Sequence, residues 1–96
     1  MALPAQHPQD HDDELIARHI ETAPAYSTPD RARLGDYGVS VTAIITYLET
    51  VNWNIEETAR AYCVSAEAVH AAIAYYGRHR NVIDARIALN NAWFDR

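Results

Sequence analysis

The sequence has little of what stabilises small secreted proteins or carries chains across membranes. It contains one cysteine, Cys63, so no disulfide can form within the chain, and this favours a reducing compartment or indifference to redox conditions. No stretch approaches the roughly 20 apolar residues that span a bilayer. The N-terminus lacks the positive start and apolar run of a signal peptide. We therefore expect a cytoplasmic protein.

Lysine is absent as well. All eight basic residues are arginines, 13 residues are acidic, and the formal net charge is −5. This balance repels phosphate backbones at long range, although arginine is suited to bidentate contacts. Hydrophobic residues make up 49% of the 96 positions, too many for a disordered chain and enough for one small core.

Apolar residues recur at helical rather than alternating spacing, which predicts an all-α fold. Residues 1–11 are interpreted as a disordered tail and residues 12–96 as a single helical domain. Asp12 is expected to open a first helix that Pro24 ends near Ala23. Residues 25–38 are expected to form an irregular connection, with an extended piece at Arg33–Leu34 as the exception to the all-α fold.

Three polar residues are placed to cap the following helices. Ser40, Asn54 and Ser65 predict helices over 41–51, 55–62 and 66–76, and Glu57 completes a capping-box pattern with Asn54. A last helix is expected over 78–94, and Gly77 is expected to end or weaken the helix before it.

Residues 55–73 have the pattern of a helix-turn-helix, within a core of about residues 39–77. Ala59 allows the two helices to cross closely, Val64 fills the space under the turn, and Val69 holds the second helix against the first. Cys63 occupies a turn position where a positive φ is often required, so glycine is commonest there. A half-buried structural role is expected for this cysteine.

The second helix of this motif is a weak candidate for reading DNA. Its expected exposed residues include no arginine, asparagine or glutamine for base contacts; they are Ser65, Ala66, Glu67, His70, Ala71 and Ala74. The candidate DNA-contacting residues are Ser65, Glu67, His70, Arg78 and Arg80. The alternatives are a helix-turn-helix that serves only as a scaffold and a solvated basic face at 78–80.

The residues suggest no enzyme, cofactor or metal site. The histidines and aspartates of residues 7–13 have irregular spacing for metal ligands. Cys63 has no histidine arranged beside it, and no glycine-rich loop could cradle a phosphate. We therefore expect a non-catalytic protein without a cofactor.

The expected C-terminal helix carries a group of large apolar residues that the core could leave uncovered. We predict that this helix packs against a second polypeptide, because exposed apolar patches usually mark contact sites. The alternative is that the helix folds back onto its own core. The predicted partner-binding residues are Val82, Ile83, Ile87, Leu89, Trp93 and Phe94.

From Gly38 to His79 the sequence resembles the bacterial family catalogued as domain of unknown function 433. The matching runs are Val39-Ser40-Val41, Ile45-x-Tyr47-Leu48, Asn54-Ile55-Glu56-Glu57, Ala59-x-x-Tyr62, Val64-Ser65-x-Glu67-Ala68-Val69, Ala71-Ala72-Ile73-Ala74-Tyr75-Tyr76 and Arg78-His79.

This resemblance implies a homeodomain-like helical fold and an antitoxin-like protein that neutralises a PIN-like ribonuclease. The expected function is thus a non-catalytic subunit that binds such a toxin, or a copy of itself, and binds DNA weakly or as a complex. The alternatives are a stand-alone DNA-binding regulator and a structural homodimer.

Overall fold

Helices account for most of the backbone in the computed structural model, which describes residues 8–22 and 28–94. Within these ranges the helices are α1 (Pro8–His19), α2 (Val41–Thr50), α3 (Ile55–Tyr62), α4 (Ala66–Arg78) and α5 (Arg80–Phe94). A 3₁₀ helix spans Pro29–Arg31. The expectation of a mostly helical protein is therefore confirmed.

A small antiparallel sheet departs from the purely helical expectation. Its strands are β1 (Ile20–Glu21), β2 (Arg33–Leu34) and β3 (Val39–Ser40), in that order across the sheet. Leu34 lies at its centre and pairs with Ile20 on one side and Val39 on the other. The extended piece expected at Arg33–Leu34 is present. The prediction that Ile20 belongs to the first helix is wrong, because this residue pairs with β2.

Helix boundaries differ from the sequence interpretation at several points. Helix α1 begins at Pro8 instead of Asp12, so the expected tail is helical from residue 8 onward, and α1 ends at His19 instead of near Ala23. Residues 1–7 and 23–27 lie outside the described residues. Helix α4 continues through Gly77 to Arg78, and His79, with φ −128°, separates it from α5.

The three predicted N-caps are present. The side chains of Ser40, Asn54 and Ser65 accept hydrogen bonds from backbone N–H groups three residues on, at 3.1, 2.9 and 3.0 Å. The N–H of Asn54 donates to the carbonyl of Val51, so the reciprocal half of the expected capping box is replaced by a turn. These caps satisfy N–H groups that helix starts leave free.

The connection between α3 and α4 has the backbone that the sequence suggested. Cys63 is left-handed, with φ 55° and ψ 43°, and the N–H of Val64 donates to the carbonyl of Ala59 at 2.9 Å. Val64 is buried beneath this turn. The expectation that Cys63 is half-buried is wrong, because its side chain is exposed.

One hydrophobic core joins α2, α4, α5 and the central strand. Its largest fully buried apolar members are Leu34, Val41, Ile44, Ile45, Leu48, Val69 and Ile83. Because α5 contributes Ile83 to this core, its first half belongs to the domain itself.

Candidate functional site

Helix α1 lies along the face of α4 that would have to enter a DNA groove. Glu67, Ala71, Ala74 and Arg78 follow one another at spacings of four, three and four residues and therefore share this face. Ala71, expected to be exposed, is fully buried. No local sequence pattern predicts this packing, because α1 is separated from α4 by more than 40 residues of chain.

Ion pairs connect α1 to both ends of this face. Nη1 of Arg18 lies 2.6 Å from Oε1 of Glu67, and near the other end Oδ1 of Asp13 lies 2.5 Å from Nη1 of Arg78. Nε2 of His19 is 3.3 Å from the second Glu67 oxygen, without hydrogen-bond geometry. Pairs exposed to this degree stabilise weakly, but they fix which residues of α1 and α4 face each other.

A groove runs along the same helix pair. It has a volume of about 810 Å³, with Leu15 and Ile73 among its apolar lining residues and His11, Asp12 and His70 among its polar ones. Asp12 adds negative charge here, whereas Glu67 and Arg78 are paired with Arg18 and Asp13, so the groove does not attract a phosphate backbone. This face of α4 is thus covered and partly acidic.

The candidate DNA-contacting residues do not form one surface. The Ser65 hydroxyl caps α4, and the backbone N–H of Ser65 donates a hydrogen bond to the Tyr37 hydroxyl at 3.3 Å. Glu67 and Arg78 are paired with α1, whereas His70 is exposed beside the groove. Arg80 lies over the Tyr76 ring, 5.6 Å from its centroid.

Helix α5 has two distinct apolar faces, which corrects the prediction of one partner-binding surface. Ile83 and Ile87 are 0% and 6% exposed and belong to the core, so they are not available to a partner. Val82 and Leu89 are 42% and 52% exposed. The side chains of Trp93 and Phe94 lie outside the described residues.

The exposed apolar residues of α5 form a continuous stripe. Val82, Ala85, Leu89 and Ala92 are all exposed and are spaced by three, four and three residues, the spacing of a coiled-coil seam. We call these four residues the outward face of α5. At about 100° per residue, they lie on the opposite side of the helix from Ile83 and Ile87. Every residue of α5 from 88 to 92 is exposed.

A polar anchor holds α5 beside the 3₁₀ helix. Nε and Nη2 of Arg86 lie 2.8 and 2.7 Å from Oδ2 of Asp30, and the Asp30 carbonyl accepts a hydrogen bond from Thr42 of α2. A side-chain hydrogen bond from Thr28 and the Arg86 guanidinium lower the pKa of Asp30, against the opposing effect of burial. This anchor fixes the direction in which α5 leaves the core.

The outward face also borders a groove next to this anchor. This open groove has a volume of about 540 Å³, with Val82, Ala85 and Leu89 on one side and Thr28 and Pro29 on the other. Such a mostly apolar groove beside an exposed helix can accept side chains of another polypeptide. Val82 and Leu89 are among the partner-binding residues predicted from the sequence, whereas Ala85 and Ala92 are not. Their three-four-three spacing with Val82 and Leu89 was the available signal.

Among residues 8–22 and 28–94, no group of three or more His, Cys, Asp or Glu residues is arranged to hold a metal ion. Within the same residues, no helix is both long and apolar enough to cross a membrane. No family model, curated protein or solved structure matches the chain.

Proposed function

We propose that the chain is a non-catalytic interaction protein that binds another polypeptide through the outward face of α5. The observation that carries this proposal is the exposure of Val82, Ala85, Leu89 and Ala92 on one side of a helix. An isolated helical end is marginally stable in water, so packing normally supports it. Residues 88–92 are all exposed in the described chain.

The resemblance to domain of unknown function 433 supplies the class of protein in this proposal. In this proposal the chain is antitoxin-like, α3 and α4 form a helix-turn-helix scaffold, and the candidate partners are a PIN-like ribonuclease and a second copy of the chain. The buried Val64 and the left-handed Cys63 support the scaffold role, because they give α3 and α4 the tight connection that such a motif needs.

A stand-alone DNA-binding regulator has less support. Helix α1 covers the face of α4 that carries Glu67, Ala71 and Arg78, and the chain carries a net charge of −5. Both features oppose insertion of α4 into a major groove. DNA binding in this proposal is therefore confined to a weak contact or to a complex with the partner.

The test uses two substitutions that place the same charge on different sides of α5. Leu89→Glu alters the outward face, whereas Asn91→Glu alters an exposed position away from it. We expect Leu89→Glu to abolish binding to a co-expressed PIN-like ribonuclease or to another copy of the chain, and Asn91→Glu to retain it. Binding measured by co-purification and sedimentation that is equal in the two folded variants would contradict the proposal.

A further inference from the structure

We infer that a cavity beside the small sheet binds a dianionic phosphate group. The cavity lies between the 3₁₀ helix, β2, the start of α2 and α5, and its volume is about 300 Å³. No residue of the outward face of α5 lines it, so the inference is independent of the proposed function. The lining residues are Asp30, Arg31, Arg33, Ser40 and Arg86.

The three arginines of this cavity come from three separate elements. Arg31 ends the 3₁₀ helix, Arg33 begins β2, and Arg86 belongs to α5, more than 50 residues further along the chain. A solvated basic face is usually a run of neighbours in sequence, whereas the fold brings these side chains together. Three of the eight arginines therefore line one small cavity in a chain whose net charge is −5.

Carboxylates near the cavity do not cancel its positive charge. Asp30 is paired with Arg86, two of whose nitrogens lie within 2.8 Å of its Oδ2. Glu21 is the cross-strand neighbour of Arg33 in the sheet. The guanidinium of Arg31 forms no hydrogen bond or ion pair with another residue of the described ranges. Even when both carboxylates are counted, three positive charges face two negative ones, which attracts an anion.

Hydrogen-bond donors accompany this charge. The Ser40 hydroxyl accepts a hydrogen bond from the N–H of Ala43 at 3.1 Å, so its own proton remains to be donated. Arg86 uses Nε and Nη2 for Asp30, which leaves the N–H groups on Nη1. Together with the planar fork of Arg31, these groups can donate to several oxygens of one ligand.

The charge and the number of donors favour a phosphate over a carboxylate. One guanidinium is enough for a carboxylate, as the pairing of Arg86 with Asp30 shows. The guanidiniums of Arg31 and Arg33 and the Ser40 hydroxyl offer more donors than one further carboxylate accepts. A phosphate monoester carries nearly two negative charges at neutral pH and has three strong acceptor oxygens. Such a group matches the cavity in both respects.

A wider polar groove adjoins the cavity and has room for the rest of a phosphorylated molecule. Asp30, Ser40 and Arg86 line both, and the groove has a volume of about 550 Å³. Small-molecule sites commonly have volumes of roughly 300–1,000 Å³. A free phosphate ion and the terminal phosphate of a small ester therefore both fit. The other polar residues of the groove include Thr46, Tyr47, Asn90 and Asn91.

Titration with two probes tests the site and distinguishes these sources. The backbone amide signals of the isotope-labelled chain are followed by NMR at about pH 7.5, where a phosphate group is mostly dianionic. The probes are inorganic phosphate and adenosine 5′-monophosphate, each compared with sodium chloride at the same ionic strength. We expect saturable shifts at residues 31–33 and 40, with a dissociation constant below about 5 mM.

The relative affinities of the probes assign the source of the phosphate. Tighter binding of the nucleotide would support the site as one for a phosphate ester, and equal binding would support it as one for the free ion. Shifts no larger than those in sodium chloride would overturn the inference.

Two substitutions that remove the same charge separate a site from the general electrostatic field. Arg31→Gln removes a guanidinium from the cavity, whereas Arg60→Gln removes one from an exposed position of α3. We expect Arg31→Gln to weaken phosphate binding about tenfold and Arg60→Gln to change it less than about twofold. Arg31→Lys keeps the charge but not the planar fork, so it should be intermediate. Equal weakening in folded Arg31→Gln and Arg60→Gln would overturn the inference.

A nucleic-acid backbone is the competing source of phosphate groups. A single-stranded oligonucleotide of about ten nucleotides without a terminal phosphate offers only phosphodiesters, each with one negative charge. We expect it to bind more weakly than adenosine 5′-monophosphate. Tighter binding of the oligonucleotide that is lost in Arg31→Gln would show that these arginines contact a nucleic-acid backbone, and it would overturn the inference of a dianionic phosphate site.

Discussion

Both Nε and Nη2 of Arg86 lie within 2.8 Å of a single oxygen of Asp30, Oδ2. The Asp30 side chain is 10% exposed and that of Arg86 is 36% exposed, so the pair lies between the surface and the core. Charge-assisted hydrogen bonds of this kind contribute more than exposed pairs do. The contact connects α5 to the 3₁₀ helix, 56 residues away along the chain.

The first prediction is an acid-dependent loss of stability at Asp30. The pKa of Asp30 is lowered from its ordinary value of 3.8, first by the hydrogen bond from Thr28 and also by Arg86. A depressed folded-state pKa means that the folded state holds its proton less tightly than the unfolded state. The stabilisation is therefore complete above about pH 5, where both states are ionised, and decreases as the pH falls from there through the depressed pKa.

Asp30→Asn tests this linkage. We expect a loss of about 1–3 kcal/mol in the free energy of unfolding at pH 7, and a smaller further loss on acidification than in the wild type. Urea denaturation at several pH values between neutral and acid measures both effects. Asp36→Asn, in the exposed turn after β2, serves as the matched control. Equal acid sensitivity in Asp30→Asn and wild type would refute the prediction.

The second prediction separates the two faces of α5. Ile83→Ala removes a fully buried side chain and should lower the free energy of unfolding by about 2–4 kcal/mol. Leu89→Ala removes an exposed side chain and should change the free energy of unfolding by less than about 0.5 kcal/mol. Chemical denaturation measures the free energy of unfolding of both variants, under conditions where the chain is monomeric. Similar losses in the two variants would show that Leu89 also belongs to the core.

The third prediction concerns the left-handed residue between α3 and α4. Cys63 has φ 55° and an exposed side chain, so Cys63→Gly removes strain at little cost in packing. We expect it to raise the free energy of unfolding by about 0.5–1 kcal/mol, and Cys63→Ser to keep both the fold and partner binding. Loss of binding in a folded Cys63→Ser protein would instead indicate thiol chemistry.

The fourth prediction uses the glycine inside α4. Gly77 is helical, and a Cβ built on it meets nothing within 4 Å. Gly77→Ala should therefore stabilise the protein by about 0.5–1 kcal/mol, because alanine loses less conformational freedom in a helix. Thermal unfolding should show a higher midpoint. A lower midpoint would mean that α4 must bend or end at this position.

Local chemistry explains which parts of the fold were predictable. Ser40 and Asn54 are caps that act within three residues of themselves, so the starts of α2 and α3 follow from the sequence. The strand at Ile20 depends on pairing with Leu34, 14 positions away. A helical spacing around Ile20 therefore gave the wrong secondary structure, since tertiary pairing overrides weak local propensity.

The candidate site was predictable only in part for a related reason. Val82 and Ile83 are adjacent in sequence and both apolar, yet they point about 100° apart on α5. Grouping them as one face required the assumption that the whole helix is uncovered. The core reaches Ile83 and Ile87 but not Val82 or Leu89, which depends on how the Asp30–Arg86 pair positions α5.

The last prediction is that the isolated protein does not read a DNA sequence. Helix α1 covers the face of α4 that holds Ala71, and Asp13 forms an ion pair with the guanidinium of Arg78. Fluorescence anisotropy at physiological salt should show weak binding that is equal for duplexes of different sequence and that falls steeply as salt rises. Asp13→Asn removes one acidic charge beside Arg78 and should strengthen this non-specific binding slightly without creating a sequence preference, because residues 66–77 of α4 include no arginine, asparagine or glutamine. Nanomolar binding to one sequence, with markedly weaker binding to a scrambled duplex, would show that α1 leaves α4 in solution and that the regulator alternative is correct.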